Sequence, residues 1–317
     1  MAKAKQGVQE RMIVAGVGSL ALRKLYFENM KAAGVEIYEF MPVLFPSFTS
    51  KINYRNHRKV VIIDGITSFT GGINVDDRYV NNGKYPTYWR DTHIKLEGTA
   101  VKTLQFLFIL NWQFVSKQPW RPTEKHFPKT EPSFGSSYVQ VNASGPDWDL
   151  ASIMDSFCLA INSARNSLKI ATPYFIPNES IMNGITTSAK SGVSVEIMIP
   201  YTSDSWIVQA ASMSFMKQLL RAGIKVYLYK KGFLHSKTLT VDNSISVVGS
   251  ANMDHRSFDL NHEVNTYIYD PAIARQLNEN FDADKADCIL LNAQDWRERS
   301  IKQKLLESIC RLLAPLL

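Results

Sequence analysis

The sequence predicts an α/β protein of two pseudo-symmetric lobes, each a copy of one strand-and-helix pattern. Three observations carry this: a long internal repeat, apolar runs that alternate between strand-like and helix-like spacing, and a polar stretch rich in Pro, Lys, Ser and Gly between the copies. The 317 residues suffice for two cores, and an apolar content of 45% suits a globular chain.

The repeat reads without gaps. NHRKVVIIDGITSFTGGINVDDR starts at Asn56 and LHSKTLTVDNSISVVGSANMDHR at Leu234. His57 answers His235, Lys59 answers Lys237, Asp64 answers Asp242, and Gly71, Asn74, Asp76 and Arg78 answer Gly249, Asn252, Asp254 and Arg256. Upstream, GVQERMIV from Gly7 matches GVSVEIMI from Gly192, and AAGVEIY from Ala32 matches RAGIKVY from Arg221. Downstream, Asp91 in RDTHIKLEG and Glu263 in HEVNTYIYD occupy equivalent starts of a later strand.

The elements follow in order. Leu22 to Ala33 has helical spacing, the β-branched run Val60 to Ile63 reads as a strand, and Ser116 to Pro146 reads as linker. Asp149 to Asn166 reads as helix and Leu168 to Tyr174 as strand, followed by further helix to Lys190. Ile207 to Ala222 is helical again, and Ser246 to Val248 a strand. The lobes are therefore expected at residues 1–115 and 147–317, with the linker at 116–146. Only six residues precede Gly7, where the second lobe has helix, strand and helix before Gly192, so the first lobe is expected to be truncated at its N-terminus.

Composition narrows the chemistry. Cys158, Cys288 and Cys310 form no C-x-x-C pair, which argues against a disulfide framework or a zinc ribbon. A net charge of +7 favours an anionic partner: nucleic acid, a lipid surface or a phosphorylated small molecule. No apolar run reaches the length of about 18 residues that a membrane span needs, and Ala2-Lys3-Ala4-Lys5-Gln6 is no secretory leader.

The paired His-x-Lys motifs point to phosphodiester chemistry. On a strand, residues two apart share a face, so His57 with Lys59 and His235 with Lys237 each aim an imidazole and an ammonium at a common point. One imidazole can attack phosphorus and the other can serve as general acid, while the cations balance the non-bridging oxygens. Gly71-Gly72 and Gly249-Ser250 let the backbone pass close to a phosphate, and Asn74 and Asn252 can donate to it. Asp91 and Glu263 suit the orienting of an imidazole, with their pairing left open by the sequence. Asp64 and Asp242 complete the His-x-Lys-x4-Asp motif, although an aspartate five residues past the lysine also fits a turn. His93, His126, His255 and His262 lack the repeated context and read as packed or surface residues.

The duplicated motif resembles the phospholipase D superfamily, and NYRNHRKVVIIDG, FTGGINV, YWRDTH, ATPYFIP, FLHSKTLTVD, GSANMDHRSF and EVN resemble bacterial cardiolipin synthases in particular. The resemblance implies two phospholipase-D-like lobes with the site at their interface, and metal-independent transfer through a phosphohistidine without a cofactor. It implies the catalytic set His57, Lys59, Asp64, His235, Lys237 and Asp242, with His57 as nucleophile and His235 as acid, then base. Phosphatidylglycerol would be donor and acceptor, giving cardiolipin and glycerol. The resemblance also implies N-terminal membrane helices beyond this chain and a place at the bacterial inner membrane. A lipid hydrolase and a nuclease share the motif. Against the nuclease stands an insertion of eleven residues between Tyr38 and His57, relative to Tyr227 and His235. Its Phe40, Met41, Leu44, Phe45 and Phe48 suit acyl chains better than nucleic acid. The sequence carries no signal for an oligomeric state.

Overall fold

The computed structural model describes residues 1–16, 19, 24–41, 54–129, 135–147 and 151–317. In the first lobe, β1 (Arg11–Ala15), α1 (Lys24–Ala32) and β2 (Glu36–Phe40) form a β-α-β unit whose two strands pair in parallel. Met30, Val35 and Ile37 make its small core. After the short β3 (Arg55–Asn56), an antiparallel sheet forms in the order β4 (Val60–Ile63), β5 (Thr67–Gly71), β7 (His93–Glu97), with β6 (Tyr88–Arg90) standing apart from it. The helix α2 (Ala100–Ser116) covers that sheet with Val101, Leu104 and Leu107 and ends where Lys117 turns left-handed.

Residues 138–144, inside the stretch expected as linker, form β8 (Tyr138–Ser144), antiparallel to a strand of the second lobe. The period-two alternation of Val139, Val141 and Ala143 explains it, since all three join the core under α2 and outweigh the neighbouring Pro and Ser.

The second lobe repeats the pattern on a larger scale. Its elements are α3 (Ser152–Ser163), β9 (Ser167–Ala171), β10 (Phe175–Ile176), α4 (Glu179–Lys190), β11 (Ser194–Pro200), α5 (Trp206–Ser214), α6 (Met216–Arg221) and β12 (Lys225–Tyr229). The helix expected over Ile207 to Ala222 is thus two, parted at Phe215. There follow β13 (Gly232–Leu234), β14 (Thr238–Val241), β15 (Ile245–Gly249), β16 (Met253–Asp254), α7 (His255–Asp259) and β17 (Asn261–Tyr269). The chain closes with α8 (Pro271–Asp284), β18 (Cys288–Leu290), α9 (Ala293–Arg297) and α10 (Ile301–Leu312). One sheet runs β18-β12-β11-β9-β14-β15-β17, and Ile170, Ile197, Val226, Leu239 and Val247 from its strands anchor the main core.

The lobes differ at the strand that joins the two halves of the sheet. β9 bonds β11 in parallel and β14 in antiparallel, joining the two halves of the second sheet. Among the described residues the first lobe has no counterpart, so β1-β2 and β4-β5-β7 are separate sheets. Val61 and Ile63 of β4 are consequently 48% and 49% exposed, whereas their repeat equivalents Leu239 and Val241 are each 1% exposed.

Two short parallel bridges cross between lobes. β3 pairs with the start of β17, matching Arg55 to Asn261 and Asn56 to His262, and β13 pairs with β6, matching Leu234 to Arg90. Of the apolar insertion, Phe40 is buried against the rings of His262 and Phe114, and Leu44, Phe45 and Phe48 lie outside the described residues.

Candidate active site

The two cross-lobe bridges position the site. Each continues by one hydrogen bond into a motif histidine: His57 N–H donates to His262 O at 2.9 Å, and His235 N–H to Arg90 O at 2.7 Å. Each His-x-Lys segment therefore lies between strands rather than within one, contrary to the expected strand placement, because its backbone is handed from the opposite lobe to its own sheet. One residue further along each bridge stands a carboxylate. Glu263 takes His57 Nδ1 at 2.9 Å, and Asp91 takes His235 Nδ1 at 2.7 Å. The pairing is crosswise, each histidine being held by the other lobe.

These bonds fix tautomers. An ionised carboxylate only accepts, so Nδ1–H donates and Nε2 is left with its lone pair. The Glu263 side chain is wholly buried and also accepts from Ser250 Oγ, Ser257 Oγ and Asn261 Nδ2. Burial pushes its carboxyl up, but the His57, Lys59 and Ser250 contacts outweigh that and hold it below the usual range. Asp91 has fewer partners, and burial raises it to about 6 against the pull of Lys237 and the Thr92 N–H. Gly72 makes room for this carboxylate, since a Cβ there would meet both Asp91 oxygens.

Both lysines are positioned alike, Lys59 Nζ on His57 O and Lys237 Nζ on His235 O, each at 2.6 Å. Burial lowers Lys59 to about 7 and Lys237 to about 8, with Lys237 adding repulsion at Lys59. The imidazoles are lowered too. At His57 desolvation outweighs Glu263, and at His235 desolvation is reinforced by Lys237, Lys59 and His57. The site thus sets two lysines beside two imidazoles whose carboxylates are engaged at Nδ1, a suitable cradle for a phosphodiester.

The asparagines flank this centre. Asn252 Nδ2 donates to Asp254 at 3.0 Å and Asn74 Nδ2 to Tyr79 Oη at 2.8 Å, and each amide has a second N–H to offer. Tyr79 is a site residue that the motif reading missed, as is Ser257. Tyr79 Oη lies 3.1 Å from His235 Nδ1, while Ser257 Oγ bonds Glu263. Both sit 178 residues apart, the same repeat offset as His57 and His235, so the alignment held the signal but the change of residue type hid it. The rings of Tyr79, Trp89 and Phe233 also wall His235, which is 8% exposed against 28% for His57.

The structure does not bring Asp64 or Asp242 into this cluster. Both lie in turns with left-handed backbone, at φ 53° and 50°. β14 carries Asp242 about 16 Å along the chain from Lys237, at about 3.3 Å per residue. There its carboxylate accepts the N–H groups of Arg165, Asn166 and Ser167 at 2.7 to 2.8 Å and pins the start of β9. Asp64 is exposed in the equivalent turn. Among the other histidines, His262 and His93 back onto the site, and burial lowers each to about 4.

A family profile described as "Cardiolipin synthase, PLD-like domain" matches residues 1–85 and 157–285. The cardiolipin synthase of Geobacillus kaustophilus is 40% identical over 100% of this chain, and cardiolipin synthase 1 of Bacillus anthracis 42% identical over 99%. The chain spans 63% of the length of each relative. Phosphatidylserine synthase of Haemophilus influenzae shares the fold, with a TM-score of 0.70 at 15% identity over 99% of this chain and 90% of that one. No helix among the described residues is long and apolar enough to cross a membrane. With the profile covering both motif-bearing repeats and such relatives aligned over nearly all of this chain, the chain belongs to the cardiolipin synthase family of phospholipase-D-like proteins.

Proposed function

We propose that this chain carries the catalytic unit of a phosphatidyltransferase that makes cardiolipin and glycerol from two phosphatidylglycerol molecules at a bacterial membrane. The observation that carries the reading is the crosswise pair His57–Glu263 and His235–Asp91, with Lys59 and Lys237 beside them. The phosphodiester enters between the lysines, and its negative charge raises the lowered imidazoles, so that His235 takes up a proton on Nε2. His57 Nε2 attacks phosphorus. The bond to the headgroup oxygen breaks, and His235 passes its proton to that oxygen as glycerol leaves. The terminal hydroxyl of a second phosphatidylglycerol then gives its proton to His235 while its oxygen attacks phosphorus. The phosphorus–nitrogen bond breaks, and cardiolipin and free His57 result.

The unequal surroundings support this division of roles. His57 is the more open imidazole and is held by a firmly ionised carboxylate, as a nucleophile requires. The aromatic walls of His235 exclude water where the acceptor hydroxyl is activated, which favours transfer over hydrolysis. The test supplies phosphatidylglycerol in detergent micelles and identifies products. Cardiolipin with equimolar glycerol is expected; phosphatidic acid as main product makes the chain a hydrolase, and cleavage of DNA without lipid turnover makes it a nuclease.

A further inference from the structure

The C-terminal helix α10 (Ile301–Leu312) has a surface that the active-site chemistry does not use. Its inner side is narrow: Cys310 is buried in the main core, and buried Glu307 is held by Arg299 at 2.5 Å. With this side the helix packs against α5. At 100° per residue, Ile301, Leu305, Ile309 and Leu312 form one continuous stripe, and Leu306 and Leu313 widen it. All six face solvent, with Ile301 at 83%, Leu305 at 60% and Leu312 at 80%. Leu316 extends the stripe past the helix end, and Trp206, 66% exposed, begins the neighbouring α5. Scattered exposed leucines need no explanation, but a contiguous stripe this wide on one helix does.

The charges around it indicate the partner. Within α10, Lys302, Lys304 and Arg311 face a single acid, Glu307, and that acid is already engaged by Arg299. Arg311 joins Lys190, Lys217 and Arg221 in lining a cleft that contains no acidic side chain. An apolar stripe bordered by unopposed cations complements an anionic bilayer, whose acyl layer takes the leucines and whose headgroups take the lysines and arginines. A second copy of this chain would bring the same cations against one another.

We propose that α10 and the adjoining cationic cleft are the surface by which this chain lies on an anionic lipid bilayer. The proposal deepens the reading of the chain as a phosphatidyltransferase and names how its active site is presented to lipid. This end of the protein also contacts the shell of the active site. The last residue, Leu317, accepts the Arg256 N–H at 3.2 Å, at the start of α7, and the next residue of α7, Ser257, bonds Glu263 in the active site.

The experiment compares the protein with its Leu305→Glu/Leu312→Glu and Lys302→Glu/Lys304→Glu variants. Sedimentation is measured with vesicles of phosphatidylglycerol in phosphatidylcholine and of phosphatidylcholine alone, and turnover with phosphatidylglycerol in detergent micelles. The expected result is binding to anionic vesicles that weakens by about tenfold or more in each variant. Micellar turnover stays within about twofold of the parent, which shows that the variants fold. Unchanged vesicle binding by both folded variants overturns the proposal. So does light scattering that shows a parent dimer broken by the leucine substitutions while vesicle binding persists. If the parent binds anionic vesicles through α10 yet turns over no lipid in micelles, the docking surface stands and the catalytic reading falls.

Discussion

Glu263 holds the Nδ1 of His57 at 2.9 Å although 206 positions separate them, and it does so from the opposite lobe. The parallel bridge between β3 and β17 sets this, because its register stops one residue short of the pair. Glu263→Gln and Asp91→Asn keep the shape but can stabilise the wrong imidazole tautomer. Each is expected to lower kcat by about 10²–10⁴, with little change in KM. Steady-state kinetics alongside the circular dichroism of each variant decides; a fall in KM-dependent terms alone would assign the carboxylates to binding.

The two histidines act on one phosphorus. His57→Ala and His235→Ala should each abolish turnover, and the double variant should be no worse than either. Acid-free trapping after a brief pulse of lipid labelled at phosphorus is expected to place the label on His57. Label on His235 reverses the roles.

Alkaline pH should weaken the site through its lysines. Lys59, at about 7, and Lys237, at about 8, bind phosphate only when protonated, so kcat/KM is expected to fall as pH rises through that range. The anionic substrate raises both groups, so kcat should fall at higher pH than kcat/KM does. Lys59→Arg keeps its charge and should move the first descent toward that of Lys237. An unshifted profile means that another group governs it.

Asp242 serves architecture. It accepts three backbone N–H groups at the start of β9, and Asp242→Ala leaves all three without it. A loss of about 1–3 kcal/mol in unfolding free energy is expected, with kcat unaltered in the folded fraction. Denaturant titration combined with active-site-normalised rates tests both halves of this statement.

Equivalent strands of the two lobes should differ in protection. β14 is bonded by β9 and β15, whereas β4 is bonded by β5 alone among the described residues. Amide exchange at Val61 and Ile63 is therefore expected to be faster than at Leu239 and Val241 by at least about tenfold. Equal protection would show that another segment covers the free edge of β4.

Much of this protein was determined by its sequence alone. The repeat set the two lobes, their alternating strands and helices, and the inventory of His57, Lys59, His235 and Lys237, and the matched strand starts downstream added Asp91 and Glu263, because periodicity and residue type act locally. Local pattern also explains β8, whose alternation was present but was masked by the Pro and Ser around it. The tertiary structure decided what depends on register between distant strands. It assigned Glu263 to His57 and Asp91 to His235, since one extra residue in either bridge would turn the carboxylate to the other face. It also removed Asp64 and Asp242 from the catalytic cluster, because four residues of strand carry a motif position well beyond hydrogen-bonding reach. Tyr79 and Trp89 reach His235 through packing between lobes, a proximity that the repeat offset of Tyr79 does not by itself reveal.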